Sequence, residues 1–260
     1  MGGRSLVNLI PGLARRTLTR VRDPVVSVVL PVYNERENLA PLLDEIAATM
    51  RDVPHEVVAV DDGSVDGSLD ELRRLMARHP PLRVVALERN AGQSAAFVAG
   101  ADAALGAVVV LMDADGQNDP ADIPGLLKAL AGDDGLAAVV GYRVRRTDPR
   151  WKLLQSWIAN RARNWITGDA VRDTGCSLKA IRRDRMVALP RFNGMHRFLP
   201  TLIRMQGGAV TEVPVSHRPR RHGRSKYGMW NRAARGLRDA LGVRWLGRRT
   251  LRFAIREDST

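Results

Sequence analysis

The chain has 260 residues, of which 45% are hydrophobic, and this is enough to bury the core of one large α/β domain or of one domain with an appendage. Cys176 is the only cysteine, which excludes a disulfide framework and cysteine-based zinc sites and favours a reduced, cytosolic compartment. The formal charge of +13 indicates anionic partners: nucleic acid, an anionic membrane surface or phosphorylated ligands.

The charge is distributed unevenly along the chain. Residues 1–142 hold 13 Lys and Arg against 20 Asp and Glu, whereas residues 143–260 hold 28 against 8. We therefore expect two halves with different partners, since an acidic half suits a metal ion and hydroxyl groups and a basic half suits phosphates or lipid head groups. No stretch predicts a transmembrane helix or a signal peptide, so we expect a cytosolic protein.

Residues 1–24 form a basic N-terminal segment. Residues 4–22 contain five arginines and no acid, with aliphatic residues spaced for one helical face. This pattern is typical of a short amphipathic helix on an anionic membrane and equally of a frayed basic tail.

From residue 25 the sequence alternates between strand and helix patterns. The predicted strands cover residues 25–31, 56–60, 83–87, 107–112 and 136–142. Polar residues follow these strands directly, as in nucleotide-binding α/β sheets. Neither a Gly-x-Gly-x-x-Gly nor a Walker-type loop is present, which argues against a dinucleotide oxidoreductase or a P-loop enzyme.

The stretch Asp113-Ala114-Asp115-Gly116-Gln117 comes directly after the fourth predicted strand. Open α/β sheets bind their ligands at this edge. Two carboxylates and an amide there supply the oxygen ligands that Mg²⁺ prefers. Taken alone, the stretch fits a metal site and a solvated acidic turn equally well.

From Pro149 the sequence becomes basic and aromatic. Tryptophan and aliphatic residues alternate with basic residues over residues 150–166, and again over residues 230–249. Each pattern predicts an amphipathic element that suits either a membrane surface or core packing. The membrane hypothesis rests on Trp151, Trp157, Trp230, Trp245 and the surrounding arginines.

Seven stretches, in order, resemble family 2 glycosyltransferases of the GT-A fold and, among these, the polyprenyl-phosphate branch. Those typical of the whole family are Pro31–Glu35, Asp61–Ser64, Asn90–Gln93 and Asp113–Gln117. Those that resemble the branch are Gly141–Arg143, Asp173–Ala180 and His222–Tyr227. The branch includes dolichol-phosphate mannose synthases and bacterial enzymes that load glucose or aminoarabinose onto undecaprenyl phosphate.

The resemblance implies an α/β GT-A domain, with a Rossmann-like nucleotide-binding sheet, over residues 25–218. It also implies a basic acceptor loop and an amphipathic membrane-surface helix over residues 219–260, without a transmembrane segment. Many bacterial relatives continue into two transmembrane helices, whereas this chain ends at Thr260. We therefore expect a peripheral enzyme at the inner face of the membrane, which reaches its lipid through amphipathic helices or an integral-membrane partner.

The resemblance also implies roles for the donor-side residues. The expected nucleotide contacts are Pro31, Tyr33, Glu35, Asp61, Asp62 and Asp113. Asp113, Asp115 and Gln117 match the metal site of the family, where Mg²⁺ or Mn²⁺ bridges the donor diphosphate. Carboxylates accept hydrogen bonds from base and ribose, and a metal ion neutralises charge on the departing diphosphate, so both assignments are chemically sensible.

On the acceptor side, basic residues and serines are the candidates for binding phosphate groups. They are Arg143, Lys152, Ser156, Arg220, Arg224, Ser225 and Lys226. Arg143, Asp115 and Asp173 are the predicted catalytic residues. Because a phosphate monoester is largely ionised near neutral pH, we expect Asp173 to position the acceptor, or an arginine that binds it, rather than to remove a proton. Cys176 is predicted to be a packed residue.

The implied reaction is attack by a polyprenyl phosphate oxygen on the anomeric carbon of GDP-mannose or a UDP-hexose, with inversion in one displacement. One alternative keeps the transferase and replaces the lipid by a soluble or polysaccharide acceptor. Another is nucleic-acid binding by the basic half, which the sequence disfavours because its aromatic residues lie in apolar periodic runs and no nucleic-acid-binding module is recognisable.

Overall fold

The computed structural model describes residues 24–144, 160–219 and 229–250, with the backbone alone for residues 229–235. The strands are β1 (Val26–Val32), β2 (His55–Asp61), β3 (Leu82–Ala86), β4 (Val108–Leu111), β5 (Leu136–Arg143), β6 (Lys179–Arg182) and β7 (Ala209–Val215). The helices are α1 (Arg36–Thr49), α2 (Ser68–Met76), α3 (Gln93–Ala103), α4 (Ile123–Ala131), α5 (residues 160–167), α6 (Arg183–Val187), α7 (Leu199–Met205) and α8 (Met229–Arg249).

The strands form one mixed sheet in the order β3-β2-β1-β4-β6-β5-β7. Every pairing is parallel except those of β6, which runs antiparallel to both β4 and β5. The five strands expected from the sequence are confirmed as β1 to β5. The apolar runs of β1, β2, β4 and β5 are covered on both faces of the sheet, whereas β3 is a partly exposed edge strand.

Two hydrophobic layers cover the sheet. Successive residues of a strand point to opposite faces, so Val28 and Leu30 pack in one layer with α1, α2 and α4, while Val29 packs in the other with α3, α6 and α7. Ala240 and Val243 of α8 are buried in this second layer. Core packing is therefore one function of the second amphipathic element.

The sheet brings the polar ends of several strands to one edge. The parallel strands β1, β2 and β4 all end there, and the antiparallel β6 begins there, since its first residue Lys179 pairs with Leu111 at the end of β4. The segment that precedes β6 therefore lies beside the acidic stretch that follows β4. In the described part of the chain, no helix combines the length and the apolarity needed to cross a bilayer.

Candidate functional site

The acidic stretch lies at the end of β4, where its two carboxylates are close together and largely buried. Asp115 is 7% exposed, and its Oδ1 accepts a hydrogen bond from the backbone N–H of Gln117 at 3.1 Å. Asp113 accepts one from Nε2 of Gln93 at 2.6 Å. Burial, followed by the charge of Asp115, raises the pKa of Asp113 to about 6. A bound cation would relieve this repulsion.

The donor set suits a divalent cation whose coordination is completed by other ligands. Among the described residues, no group of three or more His, Cys, Asp and Glu side chains could hold a metal ion. Asp113 and Asp115 thus offer two carboxylates, a number typical of Mg²⁺ sites that also use substrate phosphates. Gln117 is in the same turn, and its backbone carbonyl accepts a hydrogen bond from the N–H of Arg218 at 2.9 Å.

Asp61, at the end of β2, has an oxygen suited to a ligand. The residue is 2% exposed and its Oδ2 accepts from the backbone N–H of Ser64 at 3.2 Å. Its Oδ1 is buried and has no hydrogen-bond partner among the described residues. A buried acceptor without a donor is costly, so this atom fits the predicted contact with a base or ribose.

The neighbouring Asp62 has a different set of contacts. Its two carboxylate oxygens accept from the backbone N–H groups of Ala91 at 2.7 Å and Gly92 at 2.9 Å. Asp62 therefore holds the loop that leads into α3 and to Gln93. Its direct contact with a nucleotide stays a prediction.

The loop after β1 is tied to the loop after β2. The backbone N–H of Asn34 donates to Oγ of Ser64 at 3.0 Å, and its side-chain oxygen accepts from the N–H of Val65 at 2.8 Å. Asn34 has a φ of 55°, a left-handed conformation that asparagine tolerates. The predicted nucleotide residues on or next to this loop are Pro31, Tyr33 and Glu35. They and Asp61 therefore belong to one edge of the sheet.

Arg143 and Asp173 form a bidentate ion pair beside the acidic stretch. Nε of Arg143 is 2.6 Å from Oδ2 of Asp173, and Nη2 is 2.9 Å from Oδ1. The two side chains are only 14% and 12% exposed. A Cβ on Gly175 would lie 2.9 Å from Nη2, so glycine leaves room for the guanidinium group. Asp173 thus fixes the orientation of the Arg143 side chain, while its role toward the acceptor stays a prediction.

Lys179 is a site residue to which sequence reasoning assigned no role. It is 4% exposed and donates a hydrogen bond to the backbone carbonyl of Cys176. Burial lowers the pKa of Lys179, while the charges of Asp113 and Asp173 act to raise it, so the ammonium group lies within the field of both acids. Burial raises the pKa of the Cys176 thiol, in keeping with a packed side chain.

Three further basic residues near the site were not predicted. Nδ1 of His196 is 2.7 Å from Oγ of Ser94, at the start of α3. The guanidinium carbon of Arg163 lies 5.5 Å from the centre of the Phe198 ring. The third residue, Arg197, directly precedes Phe198 in the chain. These residues belong to α5 and to the turn before α7, which are far apart in the sequence, so only the folded chain brings them together.

Several predicted residues lie outside the part of the chain that the structure describes. They are Lys152, Ser156, Arg220, Arg224, Ser225 and Lys226, with Trp151, Trp157 and residues 1–23. The side chain of Trp230 is likewise outside it. Their roles stay predictions.

Sequence comparison relates the chain to one family and to proteins named as polyprenyl-phosphate sugar synthases or transferases. Residues 27–186 match the family described as Glycosyl transferase family 2. Dodecaprenyl-phosphate galacturonate synthase of Rhizobium johnstonii is 39% identical over 85% of this chain and 68% of its own length. Undecaprenyl-phosphate 4-deoxy-4-formamido-L-arabinose transferase of Pseudomonas syringae is 42% identical over 78% of this chain and 60% of its own length. The chain thus spans 60% to 68% of the length of these relatives.

Structure comparison supports the expected fold. Glucosyl-3-phosphoglycerate synthase of Mycobacterium tuberculosis, in complex with Mn²⁺, UDP and phosphoglyceric acid, has a TM-score of 0.69 at 20% identity over 94% of this chain and 84% of that one. A mannosyltransferase of Pyrobaculum calidifontis, in complex with GDP-Man and Mn²⁺, has a TM-score of 0.57 at 26% identity over 85% of this chain and 65% of that one. The expected fold is confirmed, and the chain belongs to glycosyl transferase family 2.

Proposed function

We propose that the protein transfers a sugar from a nucleotide-sugar donor to a polyprenyl phosphate and requires Mg²⁺ or Mn²⁺. The observation that supports this most directly is that Asp113 and the Arg143–Asp173 ion pair both lie near the buried Lys179, whose ammonium group feels the charges of all three. The residues proposed to bind the donor and those proposed to bind the acceptor therefore lie at one edge of the sheet. Two relatives that are 39% and 42% identical to this chain are named for polyprenyl-phosphate sugars, which agrees with a polyprenyl phosphate acceptor.

On the donor side, Asp113, Asp115 and Gln117 would hold the divalent cation. When bound, the cation would neutralise negative charge on the leaving nucleoside diphosphate. The chain fixes these ligands in advance, because Gln93 holds Asp113 and the backbone of Arg218 holds that of Gln117. The free oxygen of Asp61 would accept a hydrogen bond from the nucleoside.

On the acceptor side, Arg143 would bind an oxyanion through its planar guanidinium group. Asp173 fixes the orientation of that group, and no general base is needed because the acceptor phosphate is already ionised. An acceptor oxygen would then attack the anomeric carbon from the side opposite the leaving diphosphate, with inversion. The other proposed acceptor residues are Lys152, Ser156, Arg220, Arg224, Ser225 and Lys226.

We further propose that one face of α8, together with Trp165 of α5, lies on the inner surface of the cytoplasmic membrane. Leu237, Leu241 and Trp245 recur every four residues along α8 and are 52%, 53% and 60% exposed. Trp165 is 80% exposed. The helices are linked because Arg244 donates to the carbonyl of Ile166 at 2.9 Å. Exposed apolar residues next to exposed arginines are typical of helices at an anionic bilayer surface.

Vesicle flotation tests this surface. We expect binding to anionic vesicles and its loss in a variant that combines Trp165→Ser, Leu241→Ser and Trp245→Ser. Leu105→Ser is the matched control, because Leu105 is 64% exposed but lies between α3 and β4 and belongs to neither α5 nor α8. Equal flotation of the triple variant and the control would contradict the proposal.

The acceptor is tested by incubating the protein with Mn²⁺, a polyprenyl phosphate and UDP- or GDP-sugars labelled in the sugar. We expect label to move into the organic phase with at least one donor. Label that leaves the donor but stays in water would mean that the donor is hydrolysed without transfer to the lipid, which would contradict a polyprenyl phosphate acceptor and favour the soluble or polysaccharide alternative.

A further inference from the structure

Asn160, at the start of α5, holds the loop that carries Asp173. Its Nδ2 donates to the backbone carbonyls of Val171 at 2.7 Å and of Arg172 at 2.9 Å. Its Oδ1 accepts a hydrogen bond from Oγ1 of Thr174 at 2.9 Å. One side chain thus contacts the chain on both sides of Asp173.

The loop depends on side chains of α5 for its hydrogen bonds. The carbonyls of Val171 and Arg172 lie outside any helix or strand, where side chains replace the backbone partners of regular structure. Val171 is buried, and its carbonyl also accepts from Nδ2 of Asn164 at 2.9 Å. Because Nη1 of Arg163 donates to Oδ1 of Asn160 at 3.4 Å, the amide of Asn160 uses both its donors and both its acceptor sites.

The position of this loop decides whether Asp173 can hold Arg143. The carboxylate of Asp173 accepts from Nε of Arg143 at 2.6 Å, from its Nη2 at 2.9 Å and from its backbone N–H at 3.3 Å. The backbone N–H of Gly175 donates to Oδ1 of Asp173 at 3.1 Å. A bidentate pair forms only when the planar guanidinium and carboxylate groups are aligned, so a displaced loop would break it.

We propose that Asn160 is a positioning residue for the acceptor: it fixes the loop around Asp173, and Asp173 fixes the guanidinium group of Arg143 that would bind the acceptor phosphate. The inference rests on the proposed function and deepens it. Asn160 acts through the loop and needs no contact with a substrate. The donor side should not depend on Asn160, because Asp113 is held by Gln93 of α3.

Equilibrium binding tests this proposal without turnover. Asn160→Leu keeps a side chain of similar size and removes every hydrogen bond of the amide. The matched control is Thr167→Val on the same helix, which removes the hydrogen bond from Oγ1 of Thr167 to the carbonyl of Arg163 at 2.9 Å. Each protein is titrated with farnesyl phosphate and, separately, with UDP in the presence of Mn²⁺.

We expect Asn160→Leu to lose about tenfold in affinity for farnesyl phosphate and to bind UDP with Mn²⁺ within about twofold of the wild type. The control should bind both ligands as the wild type does. Farnesyl phosphate affinity within about twofold of the wild type would overturn the proposal. An equal loss for both ligands would also overturn it, because a general disturbance of the fold would then account for the effect.

The intermediate step can be measured by NMR as the rate at which the Nε–H proton of Arg143 exchanges with water. The variant Arg143→Lys identifies this signal by its absence. Exchange should be faster by about tenfold in Asn160→Leu and unchanged in Thr167→Val. Weaker binding of farnesyl phosphate without faster exchange would contradict an effect that passes through Arg143.

Circular dichroism and thermal unfolding would establish that the variants fold. If Asn160→Leu does not, Thr174→Val replaces it, since valine has a similar shape and only the hydrogen bond to Oδ1 of Asn160 is lost. Its affinity for farnesyl phosphate should fall by about threefold, and an unchanged affinity would overturn the proposal. A wild type that does not bind farnesyl phosphate would contradict the proposed acceptor, whereas equal binding by wild type and variant would contradict the role of Asn160 alone.

Discussion

At the residue scale, Asp113 is a position where the stability of the fold and the proposed function oppose each other. Its carboxylate is largely buried beside the carboxylate of Asp115. This arrangement suits a bound cation, but without a cation the repulsion and the burial of charge destabilise the folded protein. The folded state raises its pKa from an ordinary 3.8 to about 6. The resulting penalty is absent below pH 3.8, grows as the pH rises and is complete above about pH 6.

We therefore expect Asp113→Asn to stabilise the metal-free protein at pH 7.5 by about 1–3 kcal/mol, because the buried charge is removed. Urea unfolding as a function of pH measures this, and the gain should disappear near pH 4. The variant should also lose the rise in melting temperature that Mn²⁺ with UDP gives the wild type. Unchanged or lower stability at pH 7.5 would contradict the pKa assigned to Asp113.

Asp173 should show the opposite behaviour. Removing its side chain leaves the guanidinium group of Arg143 largely buried without its bidentate partner, so Asp173→Ala should destabilise the protein by about 3 kcal/mol. The comparison is Asp70→Ala, which breaks an exposed pair with Arg73 and should cost well under about 1 kcal/mol. Equal effects in denaturant unfolding would mean that the Arg143–Asp173 pair is not held in the native state.

At the element scale, α3 lies against the sheet because Gly100 leaves room for it. A Cβ at this position would be 2.3 Å from Cγ1 of Val29 and 3.1 Å from Cγ2 of Val60. Both contacts are with core strands that have no room to move. The position of α3 matters for the site, since its first residue is Gln93.

Gly100→Ala should therefore destabilise the protein by about 2–3 kcal/mol through overpacking, although alanine is the better helix former. Gly125→Ala, within α4, is the matched control. A Cβ there meets nothing within 4 Å, so the substitution should stabilise by about 0.5–1 kcal/mol. Thermal or urea unfolding gives both values, and stabilisation by Gly100→Ala would refute the close packing of α3 on β1.

The same elements show what the sequence predicts and what it does not. The strands β1, β2 and β4 are apolar runs followed by polar residues, and this pattern predicted both the strands and the acidic stretch at the end of β4. The strand β6 was not predicted because it has only four residues and the charged Lys179 and Arg182 at its ends interrupt any apolar run. The strand β7 is at the edge of the sheet and mostly half-buried, so it lacks an apolar run.

The site divides in the same way. The positions of Asp113, Asp115 and Asp61 were predictable because these residues lie at or shortly after the end of a buried strand. Their partners required the fold: the Arg143–Asp173 pair joins residues 30 positions apart, and the contact of Ser94 with His196 joins residues 102 positions apart. No periodicity in the sequence encodes such contacts.

At the scale of the whole molecule, the chain brings an acidic half and a basic half to one edge of a single sheet. Strand β5 runs in the same direction as β4 and brings the chain to the edge where β4 ends, and the antiparallel strand β6 begins at that edge. We therefore expect donor and acceptor to approach from regions of opposite charge. We expect high salt to raise the KM for the acceptor more than that for the donor, because the donor is also held by buried carboxylates.

The most direct test of the central claim is mass spectrometry of the lipid after incubation with Mn²⁺, a nucleotide sugar and a polyprenyl phosphate. We predict a product heavier than the acceptor by one glycosyl group, with an equal amount of nucleoside diphosphate released. Excess chelator should abolish the product, and so should Asp115→Asn in a protein that remains folded. Undiminished product in either case, or no lipid product with any donor, would contradict the account.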